Sequence, residues 1–316
     1  MDVIEHIQER YHLTFGMHQP AMTVKPEQRV RVSVPDCDGL GIEGLPLPDD
    51  KFEKSAHALL FRGNPTAGPY YIEGAQTGDS ITVHIHSVQP NRRLGRTGIS
   101  SRQIHIAQKY FQTASDTDMN VVVPQKIFHW DIDVARKVAT LKLEKSARTE
   151  VEVPLCPFAG CIAVAPENGQ IFDGLALGNF GGNMDVPAIV AGCRICLPVF
   201  ACGAYLFLGD IHAAQGEGEI IGGAIETSGT IEFSVTLDKG KTISWPRIEN
   251  ADQIGVIASG TTMDEAMQIA NAQLVLWMAQ EYGFDRWEAL NVLSQTGQSR
   301  PGNSKSVCCT ISKKYL

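Results

Sequence analysis

Ala204-Tyr-Leu-Phe-Leu-Gly-Asp-Ile-His-Ala-Ala-Gln-Gly-Glu-Gly-Glu-Ile-Ile-Gly-Gly-Ala-Ile-Glu226 is the stretch on which the fold turns. Its apolar opening, Ala204–Leu208, reads as a buried strand. Gly216-x-Gly218-x-x-x-Gly222 looks like a dinucleotide-binding loop, which would have to lead into a helix. Ile220-Ile-Gly-Gly-Ala-Ile-Glu-Thr-Ser-Gly229 carries too many glycines for that. An alternating βαβ chain is therefore excluded here, and a β-rich one expected. If the strand runs on to His212, Asp210 and His212 share a face, about 6–7 Å apart along the chain. The glycines permit sharp turns that bring Glu219 and Glu226 into the same neighbourhood.

Working outward, a second glycine-rich loop, Gly178-Asn-Phe-Gly-Gly-Asn-Met-Asp185, carries Asn183 and Asp185. Short strand-like runs occupy 29–34, 81–88, 127–132, 138–143, 149–153 and 230–237, separated by Gly/Pro turns. His84 and His86 are expected on an exposed strand face. Asp36 and Asp38 close a strand and serve turn chemistry, with metal ligation as the alternative. Residues 91–125 read as irregular, a lid or inserted loop, with Arg92, Arg93, Arg96 and Arg102 solvated. Cys193-Arg-Ile-Cys196 lies in a strand-like run with no second pair to complete a zinc site, so both are read as core thiols. The strong helices come late. Thr262 and Glu265 form a capping box opening 263–282, and Gly283 stands at the stop. Met267, Ala270, Leu274, Trp277 and Met278 are its expected core face. A shorter helix opens at Asp285. The fold class is mostly β (α+β), ending in two C-terminal helices. A β-rich N-terminal part (1–150) and an α+β C-terminal part (151–316), carrying most of the site, are expected to interleave as one compact unit.

The 316 residues carry a net charge of −8, a poor match to nucleic acid or an anionic membrane. Hydrophobic residues make up 43% and charged residues 20%, enough apolar material for a substantial core. The N-terminus, Met-Asp-Val-Ile-Glu-His, is too polar for a signal peptide, and no apolar run would span a bilayer. The eight cysteines are then read as reduced thiols of a cytoplasmic protein. There is no G-x-S-x-G elbow and no H-E-x-x-H. What remains is Asn183, Asp185, Asp210, His212, Glu219 and Glu226 on two glycine-rich loops. That set suits a metal-activated water, with zinc lowering the water's pKa and a carboxylate taking its proton. Asn183 or backbone N–H groups of the glycines would stabilise an oxyanion. The competing reading is a β-sandwich that binds a small molecule and whose acids hold a structural calcium without catalysis. His212 counts against it, because calcium takes oxygen ligands.

At these same residues the sequence resembles the acetamidase/formamidase family. Gly68-Pro-Tyr-Tyr-Ile-Glu-Gly-Ala-Gln-Thr-Gly-Asp79, Gly181-Gly-Asn-Met-Asp185, Leu197-Pro-Val-Phe200, Gly209–Glu219, Ala224-Ile-Glu226 and Trp245-Pro-Arg247 carry the likeness, which spans nearly the whole chain. It implies an amidohydrolase that releases ammonia from a short amide such as formamide or acetamide. It further implies a β-sandwich-like fold with a smaller α+β part, a divalent metal, and a homodimer or higher homo-oligomer. At the matching positions Asp185, Asp210 and His212 are the expected metal ligands. Glu219 is the expected general base, with Glu226 a second acid–base or ligand candidate. Asn183 and Gly182 are expected to contact substrate. Thr77 and Glu217 depart from the family's usual Pro and Asp. Cys308-Cys309 replaces residues usually polar or charged.

Overall fold

The computed structural model describes residues 2–53, 63–99, 105–106 and 125–316. Two large sheets organise them. One runs Ile4–His6, Val30–Val34, Gly229–Asp238, Ser80–Pro90, Arg194–Pro198, Arg247–Glu249, Gln253–Ser259, Ser306–Ser312, Gln298–Pro301. The other runs Glu150–Pro154, Val138–Lys142, Lys126–Asp133, Leu94–Ile99, Glu226–Thr227, Leu206–His212, Phe158–Ala163, Gly181–Asn183, Leu177–Gly178, with Thr66–Ile72 also paired to Leu206–His212. Both sheets draw strands from either side of residue 150. Apolar side chains of the two sheets form one buried core: Val30, Val32, Ile81, Val83, Phe233 and Val235 with Tyr70, Leu206, Leu208 and Ile162. The Tyr70 and Phe233 rings meet across it at 5.1 Å. This is the sandwich-like β fold expected from the sequence.

The two helices, Met263–Glu281 and Arg286–Thr296, cover one end of the first sheet. Thr262 accepts the Glu265 N–H, so the expected cap forms. Ala266, Ala270, Leu274 and Met278 pack on Ile254, Val256, Cys309 and Ile311. Met267 is an exception among the expected core positions. It is 38% exposed, and the small Ala266 takes the buried place where helix meets sheet. Cys308 and Cys309 point to opposite faces of their strand, as period-two alternation requires, and each is buried in a different cluster. All eight cysteines are free. On the Arg194–Pro198 face Cys193 is buried, its thiol pushed up to about 12 by burial, and Cys196 is half-buried. His84 and His86 stack at 6.4 Å and bond to Thr236 and Ser234, so they form part of the sheet surface. Among the described residues no helix is long and apolar enough to cross a membrane.

Within 91–125 the described run 91–99 departs from its reading, and the lid or inserted loop expected beyond it falls largely outside the described residues. Leu94–Ile99 is a strand, paired from Leu94↔Asp131 to Ile99↔Lys126. Gly95 and Gly98 dilute its apolar pattern. Gly95 is needed because a Cβ there would meet Ile225 Cγ2 at 2.6 Å. Arg102 lies outside the described residues. Arg92 is not solvated: its guanidinium donates to Asp36 Oδ2 at 2.5 Å, with both side chains out of solvent, and to the carbonyls of Leu94 and Gly41. Asp36 is thereby an ion-pair partner and not a metal ligand. Arg96 pairs with Asp38 nearer the surface, where the aspartate side chain is half exposed. Removing one member of a buried pair strands the other charge. Arg92→Ala is therefore expected to lose about 3–5 kcal/mol of stability, measured by urea denaturation, whereas Arg93→Ala, on an exposed pair, should change it by less than about 1 kcal/mol.

Candidate active site

Three strands of the second sheet build the site. Leu206–His212 delivers Asp210 and His212, Phe158–Ala163 lies beside it, and Gly181–Asn183 follows on the far side, running straight into Asp185. On the near side His212 is paired directly with Glu226. Asp185, Asp210 and Glu219 all adopt left-handed backbone conformations, at φ 49°, 60° and 43°. Such conformations in non-glycine residues are costly and cluster at functional sites. Asp210 thus interrupts the regular alternation of its strand, yet its carboxylate still faces His212.

His212 Nε2 lies 3.4 Å from Asp210 Oδ1, 3.4 Å from Glu226 Oε2 and 4.0 Å from Asp185 Oδ1. These three oxygens are buried and accept no hydrogen bond. Their sister oxygens are all tied down. Asn64 Nδ2 donates to Asp210 Oδ2 at 2.8 Å. Asn183 Nδ2 and Asn303 Nδ2 donate to Asp185 Oδ2 at 2.7 and 2.9 Å. Ala224 N–H donates to Glu226 Oε1 at 2.9 Å. Each acid is therefore held by one oxygen and presents the other inward. Two ligands about 2.1 Å from one zinc ion at a tetrahedral angle stand about 3.4 Å apart, so this donor set fits a small divalent cation. Glu219 joins from the glycine-rich turn, with donor atoms of His212, Glu219 and Glu226 all within 4.8 Å of one another.

The electrostatics agree with that geometry. Burial and the nearby Asp210 push the Asp185 carboxyl up to about 6. Burial pushes Glu226 up to about 7, against the pull of His212. Burial, then Asp185, push Glu219 up to about 9. Burial opposes a charge on His212, but Glu226, Asp210 and Asp185 together hold its pKa well above the ordinary range. Unneutralised acids crowded out of solvent retain protons, and a dication would displace them.

Asp185, Asp210, His212, Glu219, Glu226 and Asn183 are thus brought together. Gly182 is not at the cavity. It sits inside the sheet, paired with Ile162 and Leu177, where its φ of 106° and the Ala176 carbonyl exclude a Cβ. Four residues escaped the reading of the sequence. Asn64 and Asn303 stand beside Gly and Pro, and nothing in their local sequence marks either one. Cys161 donates its S–H to Asn183 Oδ1 at 3.0 Å, bracing the amide. Gly160 is the floor: a Cβ there would lie 2.4 Å from Asp185 Oδ1, 2.7 Å from Asp210 Oδ2 and 2.9 Å from His212 Cε1. An isolated glycine within a strand is a signal of close approach, and it was available in Phe158-Ala-Gly-Cys. The site opens into a cavity of about 850 Å³, lined also by Arg96, Lys126 and Lys305.

The acetamidase/formamidase family model matches residues 2–173 and 177–282. The chain belongs to this family. Among its relatives, an acetamidase from Yersinia enterocolitica has a crystal structure with a TM-score of 0.81 at 31% identity, covering 99% of this chain and 92% of that one. An acetamidase from Bacillus halodurans has the same TM-score at 24% identity, which speaks for the acetamidase/formamidase fold alone. A Schizosaccharomyces pombe protein provisionally named a formamidase is 28% identical over 262 residues, 69% of this chain and 62% of its own length. The chain thus spans less than two-thirds of the length of that curated family member.

Proposed function

We propose that the chain hydrolyses the carbon–nitrogen bond of short linear amides, such as formamide and acetamide, at a divalent cation held by Asp185, Asp210 and His212. The observation that carries this reading is the convergence of three orphaned carboxylate oxygens on His212 Nε2. Zinc suits the mixed nitrogen–oxygen set better than calcium, which takes more ligands and only oxygens. When bound, such an ion supplies Lewis acidity toward the amide carbonyl or an attacking water.

This chain's own residues do the rest. Asn64, Asn183 and Asn303 fix the carboxylates, so no reorganisation is needed when charge develops. Glu226, pinned by Ala224, is a further oxygen ligand on the His212 side. Glu219 sits on the glycine-rich turn, half-buried beside the other acids. Burial and Asp185 raise its pKa; with its neighbours neutralised by a bound cation, the carboxylate is free to take a proton from water and return it to the departing amine. Hydrolysis then yields the carboxylic acid and ammonia.

The test is ammonia release from formamide and acetamide by the full chain. Activity should vanish on stripping with a chelator and return with zinc; undiminished turnover in metal-free protein would overturn the cation's part. Affinity for zinc should also depend on pH. The ion needs the carboxylates deprotonated, and their pKa values are raised, so protons compete at higher pH than for free acids. Zinc affinity, measured by competition titration, is expected to weaken first as pH falls through the raised pKa of His212, which must lose its proton to ligate, and further through about 7 and about 6, where Glu226 and Asp185 take up protons.

A further inference from the structure

A second cluster of donor atoms lies away from Asp210 and His212, on the N-terminal segment. His12 and His18 stack with ring centroids 4.7 Å apart, and the edge of Phe207 supports both rings, at 5.9 and 6.0 Å. Glu53 faces the pair. Its Oε2 is 3.5 Å from His12 Nδ1 and its Oε1 is 3.7 Å from His18 Nδ1. Both distances are too long for hydrogen bonds. They are near the separation of about 3.4 Å expected between two ligands of one tetrahedral zinc.

The proton inventory sharpens the point. Thr14 Oγ1 donates its only hydrogen to Glu53 Oε2 at 2.8 Å. At 2.9 Å from His18 Nε2 the same oxygen must then accept, so the ring proton of neutral His18 is on Nε2. His18 Nδ1 is left with a lone pair turned toward a carboxylate. His12 Nδ1 is buried and has no hydrogen-bond partner either, in a residue only 9% exposed. One ligand atom from each of the three residues lies within 4.8 Å of the others. Two imidazole lone pairs and a carboxylate oxygen converging in a partly shielded site make a nitrogen–oxygen donor set of the kind that holds a transition-metal cation.

We propose that His12, His18 and Glu53 bind a second divalent transition-metal ion, of the zinc class. Two imidazoles and one carboxylate match such ions and not calcium or magnesium. The position gives the ion a mechanical part. His12 exchanges both backbone hydrogen bonds with Thr66, two residues beyond the Asn64 that holds Asp210. An ion here would clamp the N-terminal segment and the Glu53 connection to the head of the Thr66–Ile72 strand, which the active-site amide Asn64 closely precedes.

The experiment counts zinc by mass spectrometry in purified full-length chain, saturated and then dialysed. Asp210→Asn removes a ligand of the proposed catalytic cation. It should still hold about one zinc per chain, and zinc should still raise its melting temperature. Adding His18→Ala to Asp210→Asn should remove both effects, and adding the near-isosteric Glu53→Gln should do the same even if the alanine variant folds poorly. Asp210→Asn with no zinc, or with zinc that survives both additions, would overturn the second site. Zinc lost with His18→Ala but fully retained in Asp210→Asn would leave this proposal standing and count against the cation at Asp210.

Discussion

Gly160→Ala is expected to abolish amide turnover in a protein that remains folded. The added methyl carbon would stand inside contact distance of Asp185, Asp210 and His212 at once. The backbone at Gly160 lies outside the left-handed region that favours glycine, so alanine meets no conformational barrier. The strain therefore falls on the donor atoms. Displacement of a catalytic group by about 1 Å can cost about 10²-fold in rate, and three groups move here. A fall of at least about 10²-fold in kcat on formamide is expected, together with loss of the zinc at Asp185, Asp210 and His212, while circular dichroism stays that of the parent. Activity within twofold of the parent would show that the three side chains do not act as one constellation.

The second large effect concerns proton transfer. Glu219→Gln keeps shape and removes the titrating oxygen. Loss of a positioned general base or acid costs about 10²–10⁴-fold, so kcat should fall in that range. Zinc content should hold at the parental level, because Glu219 is the outermost of the acids and sits on a turn rather than a strand. Asp210→Asn makes the instructive contrast, since there zinc at the catalytic site and turnover should be lost together. If Glu219→Gln also emptied the site, Glu219 would be a ligand and the base would have to be Glu226. Steady-state kinetics with metal analysis on the same preparations separates these outcomes.

Much of the site was legible because its acids and histidine are crowded together in glycine-rich surroundings. Asp210, His212, Glu219 and Glu226 lie within one continuous stretch, and Asp185 follows its own glycine pair. The β-rich fold was legible for a related reason, since no helical period survives the glycines of 216–229. What stayed hidden is what depends on neighbours distant in sequence. Asn64 and Asn303 are 239 positions apart, and only the folded sheets show that each anchors one of two neighbouring aspartates, Asp210 and Asp185. Arg92 looked like a solvent-facing cation because nothing local reveals Asp36, which lies 56 residues upstream. Leu94–Ile99 hid its strand character behind two glycines, and it is pairing with Lys126–Asp133 that holds it extended. Met267 was misplaced for the opposite reason: helical spacing marks a face, but the width of the buried stripe is set by what packs on it.

The amides that grip one oxygen of each aspartate also bear on which ions the pocket would admit. A carboxylate so anchored has a single oxygen to offer and coordinates in monodentate fashion. Large ions that complete their shells by straddling both oxygens of an acid would first have to break the bonds from Asn64, Asn183 or Asn303. Ions content with few, singly bound ligands would meet no such toll. Discrimination among metals would then reside in three asparagines that never touch the ion, and exchanging them for smaller residues should broaden the range of ions accepted before it weakens the affinity for any one of them.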